Sequence, residues 1–258
     1  MILDCISSML ERCSTPHSTF PATDLFNESW MLRLVLEWFS QHPEVAHPLS
    51  VPSGCRWYSE ALLPSAFLQR RRGDKFAEAW THADGVVGHF EIGRDRKRDL
   101  TLAPAASCLK VVEAKMFSKL SSGTTRAKYF NQAARSVACI AEVLKRADSS
   151  AAAMDALAFF LLAPREKVDA GTFSGIMTVD SVRAVVGRRV LEYDEPRDEW
   201  YEKWFLPTLE RIDIRTIAWE DVASLVQGHD PEFGKELAEF YEQCLTFNRQ
   251  ARTRRSKR

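Results

Sequence analysis

Two short segments carry acidic side chains where apolar, strand-like sequence meets polar sequence. The first reads Thr81-His82-Ala83-Asp84-Gly85-Val86-Val87-Gly88, and the second reads Leu109-Lys110-Val111-Val112-Glu113-Ala114-Lys115-Met116. Together they supply Asp and then Glu-x-Lys, a set that can hold a divalent metal against a phosphodiester. Residues two apart on a strand point to the same face, so Glu113 and Lys115 are expected side by side, with Ala114 turned toward the packed layer.

Hydrolysis of a phosphodiester requires a neutralised phosphate, a positioned water and a stabilised leaving alkoxide. Mg²⁺ takes oxygen ligands and keeps several waters, so a few carboxylates are sufficient. Asp84 and Glu113 are therefore predicted metal ligands, and the backbone carbonyl of Ala114 is a candidate third ligand. Lys115 beside carboxylates should stay protonated, which predicts an electrostatic role next to the nucleophilic water and not that of a base.

The Glu-x-Lys triplet is not specific by itself. Roughly two acid-x-Lys triplets are expected by chance in a chain of ordinary composition. The chain has two, Glu113-Ala114-Lys115 and Asp95-Arg96-Lys97. Only the first ends an apolar strand pattern and precedes an amphipathic helix, so the context favours Glu113.

Bulk properties allow a folded protein without a strong overall charge. The chain has 258 residues, 45% hydrophobic and 27% charged, and a formal net charge of zero. A sizeable core can form, and binding of polyanions through net charge alone is not indicated. Basic residues nevertheless gather at 70–75, 94–98 and 249–258, and acids at 192–202. This pattern favours a phosphate-binding face, and the alternative is solvated loops with a disordered tail.

Cysteine usage and hydropathy indicate a cytoplasmic protein that does not enter a membrane. The six cysteines show no C-x-x-C pair and no zinc-like spacing. Cys108, Cys139 and Cys244 lie in apolar patterns and are expected in the core. The longest apolar run, at 156–163, is too short to span a bilayer, and the N-terminus lacks the basic region of a signal peptide.

Periodicity predicts alternating helices and strands. Asn27 is expected to cap a helix over about 28–40. The remaining predicted elements are strands at 57–63, 77–92 and 107–116, a helix at 126–146, a strand at 156–162, helices at 182–191 and 200–211, a strand at 212–218, and helices from Glu220 and from Asp230. Residues 1–20 are expected to be an irregular lead-in, and 93–104 a charged connector.

This order of elements, together with Asp84, Glu113 and Lys115, resembles the PD-(D/E)XK nuclease superfamily over about residues 25–165. The resemblance implies an α/β, restriction-endonuclease-like core with a central mixed sheet flanked by helices in the order αβββαβ. An α/β extension over about 166–248 and the basic tail 249–258 would complete a single domain. The proline that the family name refers to is absent, since Ala83 precedes Asp84.

The resemblance also implies auxiliary site residues. Gln132 matches the polar residue on the helix after Glu-x-Lys, although an ordinary exposed helix position is the alternative. For an early acid we rank Glu60 first, because it lies in a strand beside the expected site. Glu28 ranks second because a helix start favours an acid in any case. Glu37 ranks third because it can pair with Arg33 one turn away.

The function implied is a Mg²⁺- or Mn²⁺-dependent nuclease, such as an endonuclease, with DNA favoured over RNA and a role in defence against foreign DNA or in DNA repair. Two alternatives stay open. The first is a non-catalytic nucleic-acid-binding protein on the same fold. The second is a partner-dependent subunit or homodimer, with the aromatic group Trp200, Tyr201, Trp204 and Phe205 as an interface, although these side chains also fit a core.

Overall fold

The computed structural model describes residues 1–69, 72, 77–94, 96–118, 120, 127–193 and 196–256, with side chains described up to residue 249. The helices are α1 (Ile2–Glu11), α2 (Glu28–Gln41), α3 (Gln132–Arg146), α4 (Arg165–Asp169), α5 (Val179–Glu192), α6 (Asp198–Trp200), α7 (Leu206–Arg211), α8 (Trp219–His229) and α9 (Pro231–Ser256). The strands are β1 (Arg56–Leu63), β2 (Thr81–Gly88), β3 (Phe90–Ile92), β4 (Leu100–Leu102), β5 (Cys108–Ala114), β6 (Ala156–Ala163) and β7 (Asp213–Ala218). A π-helical turn joins α6 to α7, and short 3₁₀ turns precede α2 and β6.

The main sheet has five strands in the order β1-β2-β5-β6-β7. Strands β1, β2 and β5 are antiparallel neighbours, whereas β5, β6 and β7 run parallel. The fold is therefore α/β with a mixed sheet, which confirms the predicted class at that level. The last strand, β7, comes from the C-terminal third of the chain, so this part extends the sheet itself.

Helices cover both faces of the sheet. Successive strand residues alternate between the two apolar layers, as Val111 and Val112 of β5 and Phe159 and Phe160 of β6 do. One layer contains α3, α5 and the α6–α7 region, and the other contains α2, α8 and α9. The central strands are buried on both faces, and their sequences are therefore continuous apolar runs.

The two helices that flank the main acidic segments begin at asparagine caps. The Asn27 side chain accepts a hydrogen bond from the Trp30 N–H at 3.0 Å, as predicted for α2. The Asn131 side chain accepts one from the Ala134 N–H at 3.1 Å, so α3 begins at Gln132 and not near residue 126. The predicted start was too early because the apolar spacing was extended past this cap, and residues 121–126 lie outside the described part.

Two glycines allow β2 to pack closely. A Cβ on Gly85 would lie 2.9 Å from Leu32 Cδ2 of α2, and one on Gly88 would lie 2.1 Å from the Cys108 carbonyl oxygen. The chain turns after Gly88, so the single bent strand predicted over 77–92 is two strands in different sheets. Strand β3 pairs with β4, which occupies part of the predicted connector 93–104.

Other predictions at the ends of the chain can now be compared with the structure. Residues 2–11 form the exposed helix α1 and not an irregular lead-in. Trp200 and Phe205 are buried in the core, so the alternative of core packing holds for them. Cys108, Cys139 and Cys244 are buried free thiols, as expected. Among the described helices, none combines the length and apolar character needed to cross a membrane.

Candidate active site

The antiparallel pairing of β2 with β5 brings the two predicted acids together. Gly85 pairs with Val112 and Val86 with Val111, and the same register places Asp84 across from Glu113. The Asp84 carboxylate is fixed from one side, because its Oδ2 accepts a hydrogen bond from the Ala114 N–H at 2.8 Å. The two acidic segments therefore meet at one end of the sheet, as their sequence pattern predicts.

Glu113 lies at the centre of the cluster. Its side chain is 1% exposed, and its Oε1 accepts hydrogen bonds from both Lys115 Nζ and Gln132 Nε2. Lys115 Nζ also lies 3.7 Å from Asp84 Oδ2. The structure thus brings Asp84, Glu113, Lys115 and Gln132 together, and Gln132 is buried and not an ordinary exposed helix residue.

The second oxygen of the Glu113 carboxyl is unpartnered. Oε2 is buried and has no hydrogen-bond donor within the described residues. The Asp84 carboxyl influences the protonation of Glu113 through its charge and through contact between the two side chains. The Lys115 ammonium lies beside both carboxylates and balances only one of their two charges, so a proton or a further cation would have to balance the other.

Burial and the charge of Asp84 both favour the protonated form of Glu113. Burial, followed by the charge of Asp84, raises the pKa of Glu113 to about 8, against the opposing effect of the Lys115 ammonium. In the absence of a cation, Glu113 is therefore mostly protonated at neutral pH. A divalent cation would displace this proton, because metal ligands must be deprotonated.

Lys115 keeps its positive charge. Burial alone would lower its pKa, but the charges of Glu113 and Asp84 together outweigh burial and raise the pKa above its ordinary value. The carboxylate of Glu28 adds to this rise. The ammonium therefore cannot act as a base at neutral pH, which is the state that the sequence predicts for an electrostatic role.

The three candidates for the early acid lie in different surroundings. Glu60 lies across from Asp84 in the β1–β2 register, yet its polar neighbours in the described part are Ser29 Oγ at 3.5 Å and His82 Nδ1 at 4.0 Å. It lines a separate pocket beside Trp57 and not the pocket of the cluster. Glu28 is the acid whose charge acts on Lys115.

Glu37 is engaged elsewhere. Its carboxylate accepts hydrogen bonds from Trp57 Nε1 at 3.1 Å and from Gln41 Nε2 at 2.8 Å. Arg33, the partner suggested by helix spacing, donates instead to Ser59 Oγ at 2.9 Å. Glu37 therefore stabilises the contact between α2 and β1 and does not approach the cluster.

The cluster opens into a pocket of about 530 Å³. Besides the predicted residues, its walls include Glu78, Trp80, Thr81, His82, Ser118 and Arg135. Sequence reasoning did not select Glu78, which forms a buried ion pair with Arg189 of α5, 3.4 Å away and 111 positions along the chain. A local sequence pattern cannot predict a pair of residues so far apart in the chain. The positions of Glu78 and Arg135 in the pocket wall could therefore be found only from the structure.

Contacts from α8 and β6 fix the backbone at Lys115. Trp219 Nε1, at the start of α8, donates a hydrogen bond to the Lys115 carbonyl oxygen at 3.0 Å. The Lys115 N–H donates to the Leu162 carbonyl oxygen of β6 at 2.9 Å. Both contacts hold the backbone of Lys115 immediately after β5, which limits where its ammonium can lie.

The donor set fits a magnesium-type cation that retains much of its water. Asp84 and Glu113 supply carboxylate oxygens, and the Glu113 Oε2 atom is the buried acceptor without a donor. Across the described ranges, no group of three or more His, Cys, Asp and Glu residues could hold a metal ion. Carboxylate oxygens are the ligands that Mg²⁺ prefers, and Mg²⁺ binds through one or two of them plus substrate phosphates.

Only some of the basic residues and histidines that the sequence suggests as phosphate or metal ligands lie within the described residues. Arg94, Arg96, Lys97 and Arg98 are exposed, whereas most of 70–75, Asp95 and the side chains from 250 onward lie outside the described residues. His89 is bound within the fold, where its Nδ1 accepts a hydrogen bond from the Ser107 N–H at 3.2 Å. His82 is exposed at the mouth of the pocket.

Comparison of the chain with protein-family models, with curated proteins and with solved structures found no match in any of the three. The functional argument for this chain therefore depends on the geometry and charge of the site.

Proposed function

We propose that this protein is a metal-dependent nuclease that hydrolyses phosphodiester bonds of nucleic acid, with DNA as the favoured substrate. The observation that carries the proposal is the convergence of the buried Glu113 carboxyl, the Asp84 carboxyl and the Lys115 ammonium at the wall of one pocket. When both carboxyls are ionised, the Lys115 ammonium balances only one of their charges, and a divalent cation with its phosphate ligand would balance the other.

The fold supports the same proposal. Helix α2, strands β1, β2 and β5, helix α3 and strand β6 follow one another in the αβββαβ order of a restriction-endonuclease-like core, interrupted by the β3–β4 hairpin. A mixed sheet that presents acids at the end of β2 and β5, with a glutamine at the start of the next helix, is the arrangement that the resemblance implies.

Asp84 and Glu113 would hold Mg²⁺ or Mn²⁺, with the Ala114 carbonyl as a further candidate ligand. Such a cation, when bound, would neutralise charge on the phosphate and lower the pKa of a nucleophilic water. Lys115, held between both carboxylates, would orient the nucleophile and offset the negative charge that grows on the phosphate. Gln132 would fix the Glu113 carboxyl through its amide donor.

The test is cleavage of DNA and RNA, single- and double-stranded, by purified protein with Mg²⁺ or Mn²⁺. We expect cleavage by the parent protein, and a loss of about 100-fold or more in Asp84→Asn, because removal of one charge-stabilising group typically has that effect. Glu199→Gln is the matched control, since Glu199 is an exposed acid that pairs with Lys203 far from the pocket. Absence of cleavage of every substrate with either metal would refute the proposal.

One observation favours a second function. Three carboxylates line the described pocket, but Glu78 is paired with Arg189, which leaves Asp84 and Glu113 for a metal, fewer than many catalytic metal centres use. A nucleic-acid-binding protein without catalysis on the same fold would explain that small set. Nucleic-acid binding that persists in Asp84→Asn, without cleavage by the parent protein, would support this alternative.

A further inference from the structure

Trp80 separates the candidate active site from a second pocket. Its side chain lines both, and the second pocket has a volume of about 400 Å³. The walls of the second pocket come from strand β4, the loop before it and the C-terminal half of α3, including Arg94 and Arg146. A ligand that leaves the first pocket past Trp80 therefore enters a space bordered by arginines.

The arginines are held in place by the indole ring. The Arg146 guanidinium lies 5.2 Å from the centre of the Trp80 ring and that of Arg96 lies 5.3 Å from it, both within cation–π distance. Such contacts restrict long side chains before a ligand arrives, which reduces the entropy that binding must overcome. The basic groups are therefore positioned around Trp80 and not only distributed over a loop.

Their hydrogen-bonding capacity is largely unused. In the described part of the chain, Arg146 donates only through Nε, to Glu142 Oε1 at 3.0 Å, and the Arg94 guanidinium makes no hydrogen bond. The acids nearby are Glu142 and Asp99, and Asp99 accepts a hydrogen bond from the Arg96 N–H at 3.0 Å. Among the described residues that line the second pocket, Arg94 and Arg146 outnumber the one acid, Asp99, so its walls carry a net positive charge.

We propose that this second pocket binds a backbone phosphate of the nucleic-acid strand whose neighbouring phosphodiester occupies the candidate active site. The inference rests on the proposed nuclease function, because it takes the ligand in the first pocket to be nucleic acid. Guanidinium groups match phosphate oxygens in geometry and charge, and keep their charge at every physiological pH. Trp80 then lies between the two positions that bind phosphates of one nucleic-acid strand.

The experiment measures binding of labelled short single strands of DNA and of RNA to the full chain by fluorescence anisotropy, with EDTA present so that no cleavage occurs. Arg146→Ala is compared with Lys145→Ala. Lys145 is the matched control, because it is the adjacent residue, is similarly exposed and lies near the same Glu142 at 3.7 Å, but lines neither pocket. Thermal melting of each variant verifies that it is folded.

We expect Arg146→Ala to weaken binding about tenfold, because a charge-assisted hydrogen bond to phosphate is lost. The slope of log K against log salt should fall in magnitude by about 0.7, the value for one phosphate contact on a single strand. Lys145→Ala should change neither quantity by more than about twofold. DNA and RNA are expected to respond alike, since the contact is to phosphate.

Equal effects of the two substitutions, or no binding by the parent protein at low salt, would overturn the inference. The outcome is independent of the cleavage assay. If Arg146→Ala binds like the parent while the parent cleaves nucleic acid, the inference fails and the nuclease proposal stands. If Arg146→Ala weakens binding but no substrate is cleaved, the phosphate pocket is supported and the nuclease proposal fails.

Discussion

The protonation of Glu113 leads to a prediction that does not require a known substrate. In the metal-free protein, burial and the charge of Asp84 raise the pKa of Glu113 to about 8, from an ordinary value of 4.5. The folded protein therefore holds a proton that the unfolded chain releases throughout this range. The stabilising effect of this proton is complete below about pH 4.5 and is lost as the pH rises through about 8. The free energy of unfolding should therefore decrease with pH between these two values.

Glu113→Gln removes this dependence and keeps the shape of the side chain. A glutamine oxygen can still accept the hydrogen bonds from Lys115 and Gln132. The difference between about 8 and 4.5 sets an upper bound of about 5 kcal/mol on the pH-dependent part. Because the interval from about pH 5 to pH 8 covers only part of this titration, we expect the parent protein to lose roughly 2 to 3 kcal/mol relative to Glu113→Gln across it.

Other groups also titrate in this interval, and the comparison of the two proteins removes them. His47 has a pKa lowered to about 4 by burial and by Lys110, so it favours the folded state as the pH rises. Glu78 has a raised pKa through burial and acts in the same direction as Glu113. Neither is altered by Glu113→Gln, so the difference between parent and variant isolates the Glu113 carboxyl.

The assay is urea unfolding followed by tryptophan fluorescence at several pH values, first with EDTA and then with excess Mg²⁺. With Mg²⁺, the parent protein should gain more stability at about pH 8 than at about pH 5, since the cation competes with the proton for Glu113. Glu113→Gln should gain little at either pH. A difference between parent and variant that is constant with pH, or equal stabilisation of both by Mg²⁺, would refute the reasoning.

Two further predictions concern the surroundings of the cluster. Trp219→Phe removes the hydrogen bond to the Lys115 carbonyl and also shortens a fully buried side chain, so urea unfolding should show a loss larger than that of the hydrogen bond alone, about 1 to 2 kcal/mol, and cleavage should fall. A variant that unfolds earlier but cleaves at the parent rate would show that Trp219 does not position Lys115. Glu28→Gln should reduce cleavage more than Glu60→Gln, because the charge of Glu28 acts on Lys115 and that of Glu60 does not. Cleavage rates of the two variants are compared under saturating Mg²⁺. A larger loss in Glu60→Gln than in Glu28→Gln would contradict this prediction.

The meeting of Asp84 with Glu113 was predictable because it depends on local pattern. Both segments have apolar residues on consecutive positions and an acid at one end, and antiparallel pairing of neighbouring strands brings such ends together. The contact of Gln132 with Glu113 was anticipated only through the resemblance, because residues 115–131 separate β5 from α3 and no local pattern connects the two side chains. The start of that helix was predicted too early, because apolar spacing continues on the N-terminal side of Asn131, the cap at which the helix begins.

Contacts between distant parts of the chain were not predictable. Trp219 reaches the Lys115 carbonyl across 104 positions, and Arg189 reaches Glu78 across 111. Each pair depends on how α8 or α5 packs against the sheet, and that packing is decided by the whole core. The sequence shows Trp219 only as an apolar residue beside a strand, with no sign that its indole N–H supports the site.

The position of the early acid shows how backbone conformation can override a strand pattern. Glu60 has φ of +61°, in the left-handed region that non-glycine residues seldom adopt, so its side chain does not follow the regular alternation of β1. Regular alternation would have placed it beside Asp84, and our ranking assumed that regularity. Glu28 needs no such assumption. It lies in the first turn of α2, where the helix dipole favours an acid, and its charge reaches Lys115 from there. The same helix start therefore places a negative charge beside the ammonium and helps to keep it protonated.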